Sequence, residues 1–204
     1  MSMRSAILTF SAFLLGLVAC SEPTAFTSTW KAPDAQVVSA AGKKVVAVFV
    51  SRDESQRRAA EDAMAAALTA RGAQGVPGYT LLPGYHGGDP DAARAQLREA
   101  GASGVVVMRV VGKEQQVTYT PGSPAYYGGF NRYWGYSWGA AYDPGYLRTD
   151  TLVSVETLVY SLERGELLWA STSRTTNPKD INTLVNTVAD ADSKEMVKQG
   201  LLAH

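Results

Sequence analysis

The chain has 204 residues, with 19 basic and 19 acidic side chains, two histidines and 46% hydrophobic residues. That balance excludes the basic stripe by which nucleic-acid binders are recognised, and the length suits one domain able to bury a real core. A single cysteine excludes an intramolecular disulfide, so the core itself must hold the fold.

The chain opens on Met1 to Arg4, with one positive charge, and then runs through the apolar stretch Ala6 to Val18. This is the n-region and h-region of an export signal, shorter than the roughly 20 apolar residues of a stable membrane span. The stretch ends on Leu17-Val18-Ala19-Cys20, which resembles the lipobox of bacterial lipoproteins. The resemblance implies that residues 1–19 are cleaved as a signal peptide and that the Cys20 sulfur carries a diacylglyceryl group. A further acyl chain usually follows, and two chains make attachment permanent. Ser21 stands where lipoproteins kept in the inner membrane often have aspartate. The implied address is the outer membrane of a Gram-negative bacterium, with the protein facing the periplasm. Loss of Arg4 leaves the mature chain one net negative charge.

Residues 20–42 are rich in Ser, Thr, Ala and Pro and read as a lipidated cysteine and tether, in which Trp30 and Val37-Val38 can dock as a first strand. A single α/β domain is expected over 43–204. Val45 to Val50 is a short β-branched run suited to a buried strand. Ser51-Arg52-Asp53-Glu54 has the spacing of a capping box. The helix that follows puts Ala60, Ala63, Met64, Ala67 and Leu68 on one face and stops at Arg71-Gly72. Tyr79 to Leu82 reads as a short strand. Asp89-Pro90 supplies an N-cap and first-turn proline for a helix burying Ala93, Leu97 and Ala100, with Gly101 as its stop.

Gly104 to Val111 reads as a central strand and Glu114 to Thr120 as its neighbour, joined by Gly112-Lys113 as a type II′ turn. That turn pairs Met108 with Val117 and Val106 with Tyr119, and sets Arg109 beside Gln116. A second hairpin joins Thr151–Leu162 to Glu166–Arg174 through Glu163-Arg164-Gly165. Asn177-Pro178 caps a last helix that turns Ile181, Leu184, Val185 and Val188 inward and ends near Gly200. The expected fold is mixed α/β, in the order β-α-β-α-β-β-β-β-α, with two hairpins in a mixed sheet and helices packed on it.

This arrangement is similar to small domains of bacterial envelope proteins such as the amino-terminal domain of TolB. From Trp30 to Gly200 the sequence resembles a family of bacterial lipoproteins of unknown function. The residues that carry this are Ser28 to Asp34, Gly104 to Val111, Val155-Glu156-Thr157, Leu168 to Ser171, and Thr175 to Pro178. None is a catalytic motif, so the resemblance implies a fold and an address and no activity.

Chemistry is sparse. Acyl transfer needs a nucleophile with a base beside it; no serine is read as one, and Cys20 is committed to lipid. His86 and Asp89, in Tyr85-His86-Gly87-Gly88-Asp89, offer a weak metal half-site or the base of a hydrolase. A metal centre needs three or four such ligands, and Asp89 is already assigned as a cap. No phosphate-cradling or dinucleotide glycine pattern occurs, and no cofactor is expected. Arg109 and Glu156 are charges within strands. They read as a structural ion pair, with Arg174 as an alternative partner for Glu156, rather than as a buried acid of raised pKa.

The segment from Pro121 to Leu147 is the informative one. It interleaves glycines with Tyr126, Tyr127, Phe130, Tyr133, Trp134, Tyr136, Trp138, Tyr142 and Tyr146, and loops this long are uncommon unless they function or are disordered. Tyrosine and tryptophan give large amphipathic contact area at low entropy cost. They can grip a protein, stack on sugars or rest at lipid headgroups. The expected function is a non-enzymatic, lipid-anchored adaptor that binds an envelope partner through this loop, with peptidoglycan or exopolysaccharide binding as the alternative.

Overall fold

The computed structural model describes residues 24–33, 35, 42–85, 87–120, 129–142 and 145–202. Cys20, Val37-Val38, His86 and Tyr126-Tyr127 lie outside them. A six-stranded mixed sheet has helices packed on it, in the strand order β1-β6-β5-β4-β2-β3.

Strand β1, Thr24–Lys31, runs antiparallel to β6, Leu167–Thr176, at the sheet edge. Part of the stretch expected as a tether is therefore sheet, and Trp30 lies within it opposite Ala170. Strand β2, Lys44–Phe49, buries Val45, Val46, Ala47 and Phe49. Burial on both faces is what a parallel strand between helical layers requires.

Helix α1, Glu54–Thr69, starts later than the capping-box spacing predicts. Val50 N–H still donates to Met108 O within the sheet, so the chain turns into the helix only after it. Asp53 is the cap, its Oδ1 accepting from Ser55 N and Gln56 N at 2.9 and 3.1 Å, while Ser51 Oγ accepts from Asp53 N. The helix buries Ala60, Met64 and Leu68 as its periodicity predicts, together with Arg57 and Glu61, which the pattern did not suggest.

The strand expected at Tyr79–Leu82 lies one turn earlier. Strand β3 is Gln74–Pro77, parallel to β2, and Tyr79 belongs to the short helix α2, Gly78–Leu81. Gly75 explains the displacement: a Cβ there would lie 2.0 Å from the backbone oxygen of Ala65. Gly75 is thus the residue that lets β3 pass under α1. Helix α3, Pro90–Glu99, has Asp89 as its cap and buries Leu97.

Strand β4, Ala102–Thr120, is continuous, parallel to β2 and antiparallel to β5, Tyr146–Ser161. The turn expected at Gly112-Lys113 is instead a bulge between Val110 and Gly112, and Gly112 lacks the positive φ that a type II′ turn demands. The residues expected to fold back on β4 continue it. Met108 pairs with Thr157, Val106 with Val159, Val117 with Thr149, Tyr119 with Leu147 and Gln116 with Asp150. The second hairpin joins β5 to β6 around Gly165, at φ +74.

Helix α5, Ile181–Lys198, is capped by Asp180, whose Oδ1 accepts from Thr183 N at 2.7 Å, and not by Asn177. Asn177, at φ +50, accepts from Thr151 N and donates Nδ2 to Asp150, tying the β6–α5 connection to β5. Helices α1 and α5 build the larger core on one face of the sheet around Met64, Leu68, Trp169 and Met196. Leu82, Leu97 and Leu162 pack with Val46 and Val105 in a separate cluster beside α2 and α3.

Candidate functional site: an aromatic arm

Two neighbours run out before β4 and β5 do. Strand β2 last pairs with β4 at Met108, and β6 last pairs with β5 at Leu152. From there to Thr120 and Tyr146 the two strands pair only with each other. Between their ends lies helix α4, Phe130–Tyr142. The expected loop 121–147 is thus in part a helix and in part the start of β5.

Spacing by four residues lines up Phe130, Trp134 and Trp138 along one side of α4. Ring centroids are 5.7 Å apart for Phe130–Trp134 and 6.1 Å for Trp134–Trp138, the latter edge to face. All three are open to solvent, at 74%, 55% and 53% exposure, and Tyr133, Tyr146 and Leu147 are exposed as well. Tyr126 and Tyr127, and the side chains of Tyr136 and Tyr142, lie outside the description. The only charge on α4 is Arg132.

Arg109 and Glu156 pair directly across β4 and β5, with Arg109 Nε donating to Glu156 Oε2 at 2.6 Å. Hydrogen bonding to Glu156 holds the Arg109 pKa up. Arg174 sits opposite Ser154 and Ala25 instead. Nearer the arm, Arg148 Nε donates to Asp150 Oδ1 at 2.8 Å. The bonds from Asn177 and Arg148 lower the Asp150 pKa.

Two serine spacings that sequence reasoning passed over are settled by geometry. Gly135-Tyr136-Ser137-Trp138-Gly139 has the spacing of a nucleophile elbow, which requires a sharp strand-to-helix turn. Ser137 lies inside α4, donating Oγ to Tyr133 O at 2.8 Å. Ser28 and Lys31 share β1, and Lys31 Nζ donates to Gln199 O at 2.6 Å.

A concavity lies elsewhere, at the carboxyl ends of β2 and β3. It measures about 820 Å³ and is lined by Phe49, Ser51, Arg57, Glu61, Gly78 and Tyr85, among others. Such a crevice between parallel strands is where α/β folds bind ligands. Here both Glu61 oxygens and both terminal Arg57 nitrogens are engaged by the fold. Glu61 Oε1 accepts from Phe49 N at 3.2 Å and Oε2 from Tyr79 N at 2.6 Å, while burial pushes its pKa up. Arg57 bonds Glu54 and the Tyr85 carbonyl. Asp89 accepts from Asp91 N as cap. Among the described residues no cluster of His, Cys, Asp or Glu could hold a metal ion, and no helix is long and apolar enough to cross a membrane.

Sequence reasoning also missed Asp192, fully buried on α5. Its signal, like that of Glu61, was a carboxylate standing inside an apolar helical stripe.

No protein-family model and no curated protein sequence matches the chain. Among solved structures, the PelC dodecamer from Paraburkholderia phytofirmans is similar at 15% identity, over 89% of this chain and 99% of that one, with a TM-score of 0.48. Lipoprotein GNA1162 from Neisseria meningitidis is similar at 15% identity, over 78% and 99%, with a TM-score of 0.41. The structural neighbours thus include a bacterial lipoprotein. At these values neither likeness carries an argument about function.

Proposed function

We propose that the chain is a bacterial envelope lipoprotein, acylated on Cys20 and held at the periplasmic face of the outer membrane, that acts without catalysis. It holds an envelope component through the aromatic arm. The observation that carries this reading is the row Phe130, Trp134, Trp138, which stands open to solvent on a helix outside the hydrophobic core. Exposed aromatic surface of this kind marks an interaction site, and tryptophans dominate interface hot spots. A glycan is the second reading, favoured by the exposed indole rings of Trp134 and Trp138, which sugars can stack on.

The test replaces residues 122–144 by a short Gly-Ser linker. Loop closure changes by only about 0.6 kcal/mol per doubling of length, so folding and acylation should be retained. Capture from envelope extracts, or co-sedimentation with purified peptidoglycan, should be lost. Unchanged binding would remove the arm from the function, and an unfolded domain would show that its aromatics are core.

A further inference from the structure

The strand register puts the lipid end and the arm at the same end of the sheet. Thr24, which opens β1, pairs with Thr175, and Thr175 pairs on its other side with Val153 of β5. β1 and β5 both run antiparallel to β6, so β1 opens at the end of the sheet toward which β5 extends back to the arm. From Val153 to Tyr146 is seven residues, about 23 Å at the ~3.3 Å rise of a strand. Cys20 precedes Thr24 by four residues. Whatever path the chain takes, its backbone lies no more than about 14 Å beyond Thr24. The end of the ribbon therefore overreaches Cys20 by about 9 Å or more.

A bilayer that receives the acyl chains of Cys20 at this end of the sheet lies within reach of the arm. Interfacial helices bury their apolar face about 5–10 Å into the boundary of headgroups and acyl chains, a depth that the overreach is sufficient to reach. The chemistry agrees. Tryptophan and tyrosine concentrate at that level of a membrane, and α4 carries no acidic residue that anionic headgroups would repel.

We infer that the occupant of the arm is the bilayer itself. Phe130, Trp134, Trp138 and Leu147 enter the headgroup region of the membrane that holds Cys20, as a second, non-covalent anchor that fixes the orientation of the domain. This rests on the proposed acylation of Cys20 and on the arm as the working surface.

The test uses the acylated protein in vesicles of phosphatidylethanolamine and phosphatidylglycerol, with and without brominated acyl chains, which quench tryptophan on contact. Of the four tryptophans, Trp169 is fully buried and Trp30 lies on β1 away from the arm. Brominated chains should remove about half of the emission, that of Trp134 and Trp138 at the interface. The double variant Trp134→Phe, Trp138→Phe, with an unchanged circular dichroism spectrum, should lose the quenching. Full emission from wild type that stays vesicle-bound would overturn the inference. The arm would then remain a binding surface if its replacement still abolished capture of peptidoglycan or an envelope protein. Equal palmitate labelling of Cys20→Ser and wild type would remove the acylation premise, and the inference with it.

Discussion

Asp192 makes the fold sensitive to pH in a direction that can be worked from the structure. Its carboxylate lies fully buried under β5 and β6, with Thr157 Oγ1 donating to Oδ2 at 2.5 Å and Ser171 Oγ to Oδ1 at 3.0 Å. Burial outweighs both bonds and pushes its pKa up to about 6, from an ordinary value of 3.8. Between those pH values the native chain holds a proton that the unfolded chain has released. Stability from this group is therefore complete below the unfolded value and is lost as pH rises through about 6. The full difference is about 3 kcal/mol, of which about 2.5 kcal/mol falls between pH 4 and pH 8. Asp180, Asp190 and Glu195, held low by their partners, work in the opposite sense, so wild type alone does not isolate the effect. Asp192→Asn does, because the amide keeps the shape and both hydroxyls can turn to suit it. Urea unfolding of both proteins across pH 4 to 8 should show the variant gaining on wild type by about 2–3 kcal/mol. In melting temperature that is about 5–10 °C for a domain of this size. Parallel profiles, offset by a constant, would refute the reasoning and show that Asp192 stays ionised throughout.

Glu61→Ala should cost about 2–4 kcal/mol in urea unfolding, because it strands the buried N–H groups of Phe49 and Tyr79. Glu61→Gln, which keeps one acceptor, should cost about half as much. Gly75→Ala should cost more than about 3 kcal/mol by the same measurement, since its methyl would stand 2.0 Å from the Ala65 carbonyl oxygen and neither backbone can yield freely.

What the sequence made legible were features written in period and punctuation. The apolar face of α1, the Asp89-Pro90 start of α3, the Gly165 hairpin and the inward residues of α5 all follow from local pattern. What it hid were decisions taken by distant neighbours. Gly112 looked like a turn residue and Gly75 carried no reading at all, yet one sits beside a bulge and the other admits a helix backbone, and neither use is visible without the packed neighbour. The caps moved to Asp53 and Asp180 because Val50 and Asn177 are still bound to the sheet. Of the arm, the composition was legible but not the geometry. The false hairpin at Gly112 hid the ribbon by folding its residues back onto the core.

The place where the domain ends and the arm begins is marked by charge. Beyond Met108 and Leu152 the strands leave the sheet, and an isolated two-stranded ribbon is marginally stable in water. Arg109 and Glu156 fix the β4–β5 register at the root. Asp150, at the level where β6 stops, is held by Arg148 and by Asn177, whose own Oδ1 accepts from Thr151 N. That set of bonds fastens the ribbon to the start of the β6–α5 connection, and the described aromatics of the arm stay exposed. The core therefore places few demands on residues beyond it, and the arm is free to carry a row of aromatic rings. As the proposed binding surface, a ribbon braced at its root would carry the position of its partner to the whole domain. An unbraced loop of the same composition would hold its partner and leave the domain free to swing.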